Sequence, residues 1–231
     1  MTLRSFELTA ADGKRIRGDR ADGAGRQVLF ITGFLSKRWG NKSKTLAQWC
    51  EEQGWGFCCY DVRGFGDSEG RFTDYTLADW MADARTVISM LANPSDPMTI
   101  VGNSLGGWIA WLMAQEHDQV ERLILVAPAF NMRDYIAVRS ECEAAIRAAG
   151  LPATIIRPWY ILGPGHWWPL LLKPSYWICE QIRAMRASAL RLGLVTIHQT
   201  LGTLLWAVEH PPESVRIIEV PEIRSLGGWP L

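Results

Sequence analysis

The sequence predicts an α/β fold, a mostly parallel β-sheet with helices on both faces, and three observations predict it. Short runs rich in Val, Ile and Leu alternate with amphipathic stretches from residue 28 onward, which is the rhythm of strand-helix-strand units. Most of these runs are continuously apolar, as strands covered on both faces must be. The length of 231 residues and the 48% hydrophobic content suffice for one sizeable core and are too small for two, so residues 1–231 are expected to form a single domain.

Taken in order, the elements begin with a hairpin, Ser5 to Leu8 and Lys14 to Gly18, around Asp12-Gly13, a type I′ turn signal. Strands are then expected at Val28 to Thr32, Gly56 to Asp61, Met98 to Gly102, Arg122 to Ala127, Thr154 to Leu162 and Arg216 to Val220. The plainest helix carries Leu77, Trp80, Met81, Ala84, Val87, Ile88 and Leu91 at three- and four-residue spacing, so one face of it is core. Others are expected over Ser43 to Gln53, Leu105 to His117, Ser140 to Ala149, Tyr176 to Leu192 and Thr196 to Glu209, several stopped by glycine or proline.

Charge narrows the partners. Lys plus Arg and Asp plus Glu both number 24, so no net charge draws the chain to nucleic acid or an anionic membrane, and a small or neutral partner is expected. The five cysteines contain no Cys-x-x-Cys pair and are odd in number, which suits reduced thiols in a cytoplasmic compartment. The N-terminal residues lack an apolar leader, and the greasiest stretch, Trp167 to Ile178, is broken by Pro169, Lys173 and Pro174, so no membrane span is expected.

The chemistry centres on Gly102-Asn103-Ser104-Leu105-Gly106-Gly107. A serine hydroxyl is a weak nucleophile, so an enzyme using one must hold Oγ in the open and place amide donors where an oxyanion forms. Here Met98 to Val101 supply a strand, Gly102 and Gly106 give room for a tight turn at Ser104, and a helix follows from Leu105. This is the pattern of a nucleophile elbow; the bland alternative is a Gly-Ser turn in an ordinary strand-helix loop. Ile31-Thr32-Gly33-Phe34 ends an earlier strand where a second oxyanion amide is contributed, so Phe34 and Leu105 N–H are the expected donors. Gly33 alone reads equally well as a turn residue. The glycine-punctuated loop from Asp61 to Ser68 is assigned a structural role.

Residues 28–131 resemble the first half of the α/β-hydrolases, nearest to small esterases and thioesterases. The resemblance rests on ITGF, DVRGFGDSEG, the helix around Asp79-Trp80, VGNSLGGW and LILVAPAF, in that order. It implies hydrolysis of an ester or thioester through an acyl-serine, with no metal and no organic cofactor. A family member continues to a strand ending in an acid and then to a loop carrying a histidine.

Residues 133–224 instead resemble the C-terminal half of the NAD(P)-dependent, epimerase-like short-chain dehydrogenases, in Tyr135 to Arg139, GLPATIIRPWYILGPGH, RLGLVTIHQ and RIIEVPEIR. That resemblance implies a Rossmann-like continuation, with Tyr135 and Arg139 where the family has Tyr-x-x-x-Lys. No glycine-rich dinucleotide fingerprint follows the first strand of the first half, so no cofactor site is expected. The chain thus reads as a hydrolase-like half, 1–131, joined near 128–134 to a dehydrogenase-like half, 132–231.

Among the four histidines, His117, His198 and His210 fall in or at the ends of helices. His166 follows a strand and a Gly-Pro-Gly loop, and with Asp134 it gives the chain order Ser104, Asp134, His166 of serine, acid and histidine. The aromatic stretch from His166 to Trp177 reads as core packed over the sheet, or as the wall of an apolar pocket. The function expected is a serine hydrolase acting on a small ester or thioester. The alternatives are an NAD(P)-binding protein using Tyr135 and Arg139, and a catalytically silent domain.

Overall fold

Val28 and Phe30 pack against one side of the third strand and Leu29 and Ile31 against the other, and all four are buried. A strand so patterned must lie inside a sheet covered on both faces. The computed structural model describes residues 2–91, 96–129, 143–158, 160–163, 171, 173–182, 185–186, 190 and 193–228.

Strands β1 (Arg4–Thr9), β2 (Arg15–Ala21), β3 (Gln27–Ile31), β4 (Gly56–Asp61), β5 (Met98–Asn103), β6 (Val120–Val126) and β7 (Ala153–Ile156) build most of the main sheet. A short parallel pair, β8 (Tyr160–Leu162) and β9 (Leu194–Thr196), stands apart from it, and β10 (Val215–Ile218) completes it. The order is β1-β2-β4-β3-β5-β6-β7-β10, parallel from β4 to β10 with β1 and β2 antiparallel at one edge.

Helices α1 (Asn41–Gln53), α2 (Leu77–Leu91), α3 (Leu105–Glu116), α4 (Lys173–Gln181), α5 (Ile197–Glu209) and α6 (Val220–Leu226) connect the strands, with a further helical stretch at 143–148. Helices α2 and α3 cover one face over Leu29, Ile31, Ile100, Leu123 and Leu125. Helices α1, α5 and α6 cover the other over Val28, Phe30, Val101, Ile124 and Val126. Each fully buried aliphatic side chain contributes roughly 1.5–3 kcal/mol, so the two-sided core is the main stabilising term.

Several boundaries differ from those expected. At the first hairpin only Gly13 is left-handed (φ 79°), whereas a type I′ turn needs both central residues there; the Gly13 N–H closes the turn on the Ala10 carbonyl. The run Thr154 to Leu162 divides into β7 and β8 in different sheets, because Pro158 has no N–H to continue a ladder. Thr196 ends β9 and caps α5, its Oγ1 accepting from the Gln199 N–H at 3.1 Å. Val220 begins α6 rather than ending a strand, since Pro221 has the fixed φ that suits a first helical turn. The helix expected from Tyr176 starts at Lys173 and its regular part ends at Gln181.

Candidate active site

Strand β5 delivers the chain to Ser104, which adopts φ 52° and ψ −118°, a conformation rare for a residue with a side chain. Three hydrogen bonds hold it there. The Ser104 N–H donates to the Val126 carbonyl at 2.9 Å, and the Ser104 carbonyl accepts from Gly107 N–H at 2.9 Å and Ala129 N–H at 3.0 Å. Backbone strain of about 1–3 kcal/mol persists only where surroundings over-determine it, as here.

Glycine lets the elbow press against its neighbours. A Cβ on Gly106 would stand 2.3 Å from the carbonyl oxygens of both Ile31 and Thr32, and one on Gly102 would stand 2.4 Å from the Gly106 carbonyl. The start of α3 therefore lies directly on the end of β3. Gly33 is brought against the turn as well: a Cβ there would meet Asn103 Nδ2 at 2.8 Å and Ser104 Cβ at 3.2 Å. The N–H groups of Phe34, just beyond Gly33, and Leu105, at the first position of α3, are taken by no backbone carbonyl among the described residues.

The loop carrying Phe34 is anchored by Arg38, which the sequence reading did not single out. Its Nε donates to Asp19 Oδ2 at 2.6 Å, and its Nη1 to Asp61 Oδ2 at 2.5 Å and Asp67 Oδ2 at 2.7 Å; its N–H also reaches Asp61 Oδ1 at 2.5 Å. Trp39 Nε1 and Ser5 Oγ donate to Asp19 too. Burial alone would push the Asp19 carboxyl up, but the hydrogen bonds from Arg38, Ser5 and Trp39 outweigh it and hold it below the usual range. The available signal was Asp61 closing an otherwise apolar strand: a carboxylate with no exposed surface requires a cation.

The loop from Asp61 to Ser68 has the structural role assigned to it. Arg63 N–H and Nε donate to the buried Asp83 carboxylate at 2.8 and 2.6 Å, and Ser68 Oγ donates to the Asp61 carbonyl at 2.5 Å. Phe65 packs on Trp80 at 5.3 Å and, with Phe72, meets the Phe34 ring edge-on. Phe34, Phe72 and Leu35 remain 38%, 37% and 65% exposed, giving the turn an apolar rim.

Further along the same sheet edge the groups differ from those the resemblance implies. Ile156 pairs with Ile218, so Arg157 and Glu219 follow side by side as β7 and β10 end. Where an acid is implied, the chain has Arg157, whose guanidinium pairs with Glu219 at 3.0 Å and with the buried Glu143. His117 caps α3 and lines an acidic cleft with Asp96, Asp118 and Glu121. His210 stacks on Trp206 at 4.7 Å, and its Nδ1 lies 2.9 Å from the Trp206 carbonyl. His198 is exposed in the first turn of α5. Asp134, Tyr135, Arg139 and His166 lie outside the described residues. Leu171 and Trp177 are 82% and 65% exposed, so at these two positions the expected core packing is not found.

A cavity of about 190 Å³ opens beside the turn, and its lining includes Gly33, Asn103, Lys37, Lys42 and Ile197 of α5.

The serine aminopeptidase S33 family model matches residues 25–221. The chain is 31% identical over 125 residues to palmitoyl-protein thioesterase ABHD10, mitochondrial, of Bos taurus, covering 54% of this chain and 40% of that protein. It is 30% identical over 151 residues to the Mus musculus protein of the same name, covering 64% and 48%. The chain thus matches about half, or less, of the length of these curated relatives. Among solved structures, alpha/beta hydrolase domain-containing protein 10 from mouse superposes with a TM-score of 0.58 at 18% identity, covering 98% of this chain and 96% of that one, a likeness of fold.

Proposed function

Because the chain belongs to the serine aminopeptidase S33 family of α/β-hydrolases, we propose that it hydrolyses a carboxylic ester or thioester through an acyl-serine on Ser104. The observation that carries this reading is the strained, positive-φ Ser104 between β5 and α3, with Leu105 next to it in the chain and Gly33, the residue before Phe34, packed against it.

Ser104 Oγ adds to the substrate carbonyl carbon, and the oxyanion forms between the Phe34 and Leu105 amides. Collapse breaks the bond to the alkoxy or thiol leaving group, which departs with the Oγ proton and leaves the acyl-serine. Water then adds to that ester, and the acid and free Ser104 result. His166, oriented by Asp134, is the proton carrier in this proposal, supported by the chain order Ser104, Asp134, His166. Without a working base, oriented amides and binding alone would sustain only a residual rate, thousands of fold lower.

A thioester is favoured by the curated relatives, which are named palmitoyl-protein thioesterases, and by the apolar rim of Phe34, Leu35 and Phe72. An aminopeptidase needs an anionic group near the nucleophile to receive a substrate ammonium. Among the described residues, the cavity beside Ser104 is lined by Lys37 and Lys42 and by no carboxylate, which does not favour that activity. For residues 133–224 the hydrolase reading is preferred to the NAD(P)-binding one. The family model runs through them to residue 221, and β7, β10, α5 and α6 join the same sheet and core.

A reducing, cytoplasm-like compartment belongs to the proposal, supported by the free, buried thiols of Cys50, Cys58 and Cys59. Burial pushes Cys50 up to about 12, which keeps its thiol protonated and unreactive.

A fluorophosphonate probe tests the nucleophile. Covalent labelling of the folded chain, abolished by Ser104→Ala, is expected; a folded chain that stays unlabelled would overturn the reading.

A further inference from the structure

Lys37, Arg38 and Lys42 sit close in sequence beside the turn, yet their electrostatic surroundings are opposite. Arg38 is neutralised by Asp19, Asp61 and Asp67. Among the described residues, Lys37 and Lys42 have no carboxylate partner, and no Asp or Glu lines the cavity they border. The remaining walls are mainly polar, including Thr32, Ser36 and Asn103. Lys42 is half-buried, and burial without a counter-charge lowers its ammonium from the usual lysine range. A cation withdrawn from water without a partner is costly, so an arriving anion recovers interaction energy that the free protein lacks.

The position of the cavity matters as much as its charge. Gly33 and Asn103 belong to both the cavity wall and the turn, so a group held there is covalently within reach of a carbonyl placed at Ser104. Its volume of about 190 Å³ accommodates one phosphate or carboxylate group with its water.

We propose that this cavity is an anion subsite that receives a phosphate or carboxylate carried by the substrate, with Lys42 as its principal cation and Lys37 as its second. The inference rests on the hydrolase reading for what the anion is attached to. Lys42 is then a specificity-determining residue that favours esters or thioesters bearing such a group over neutral ones.

The test separates the subsite from the hydrolase. Inorganic phosphate and malonate are titrated into the full chain and its Ser104→Ala, Lys42→Met and Lys42→Arg variants, with melting temperatures recorded as a check on folding. At least one anion is expected to bind wild type and Ser104→Ala alike, about tenfold more weakly to Lys42→Met, and with recovered affinity to Lys42→Arg, as expected for one lost charge-assisted hydrogen bond. The anion bound more tightly identifies phosphate or carboxylate as the group recognised.

In parallel, kcat/KM is measured for one acyl group carried on coenzyme A and on uncharged N-acetylcysteamine; the ratio is expected to fall about tenfold in Lys42→Met for a phosphate subsite. Binding of neither anion to wild type, or unchanged binding by a folded Lys42→Met, would overturn the subsite. Lys42-dependent anion binding by a folded chain that a fluorophosphonate does not label leaves the subsite standing and removes the hydrolase reading.

Discussion

The N–H of Ser104 donates to the carbonyl of Val126 at 2.9 Å, tying the strained turn after β5 to the end of β6. With the Ala129 N–H returning to the Ser104 carbonyl, the nucleophile is braced by the neighbouring strand as well as by its own helix. The strain at this residue is consequently a stored quantity that substitution can release.

Ser104→Gly relieves a positive φ that glycine adopts freely, whereas Ser104→Ala retains it. The glycine variant is expected to be about 1 kcal/mol more stable than the alanine variant, after the extra chain entropy of glycine offsets part of the strain. Urea denaturation of the two measures the difference, and equal midpoints with equal slopes would show that the turn is unstrained.

Gly106→Ala tests the close approach of α3 to β3. Its Cβ would collide with the Ile31 and Thr32 carbonyls, so the strand end and the Phe34 amide must shift. A cost of about 1–3 kcal/mol is expected in chemical denaturation. Fluorophosphonate labelling should slow sharply, because displaced oxyanion donors no longer match the transition state.

Arg38→Ala removes the cation from Asp61, which has no exposed surface, and frees the loop bearing Phe34. Breaking a buried pair on one side costs about 3–5 kcal/mol, far beyond an exposed pair such as Arg71 with Asp74. Comparing the melting temperatures of Arg38→Ala and Arg71→Ala checks the contrast.

Asp19 supplies a pH dependence with a definite sign. Its carboxyl is held below the ordinary value in the folded chain, so its stabilisation is fully present above that ordinary value and is lost as pH falls through the depressed one. Unfolding free energy is expected to decline below about pH 4, and less steeply in Asp19→Asn. Denaturation curves across the acid range, fitted for both proteins, provide the comparison.

Arg157→Ala should destabilise more than Glu219→Ala. The first removes the cation beside the buried Glu143, while the second removes a partner whose side chain is 32% exposed. Equal losses in the two variants would mean that Glu143 draws little from Arg157.

The two sequence resemblances differ in their support, and the sheet architecture gives the physical reason. Continuous apolar strands and amphipathic helices look alike in all parallel α/β sheets, and β7, β10 and α5 are such elements, so a second half of this kind resembles more than one family. The hydrolase family model covers residues 25–221, across the join near 128–134, which supports the first of the two resemblances.

The sequence by itself determined the parallel sheet, the helix of Trp80 and Val87, and the turn at Ser104, because each rests on local periodicity or on glycines a few residues apart. Tertiary structure alone decided that Arg38 would join Asp19, Asp61 and Asp67, that Arg157 would meet Glu219 at the end of β7, and that Lys42 would line one cavity with Gly33 and no carboxylate among the described residues. Charges find their partners across strands distant in sequence, and burial sets their energies; neither is encoded in the spacing of residues along the chain.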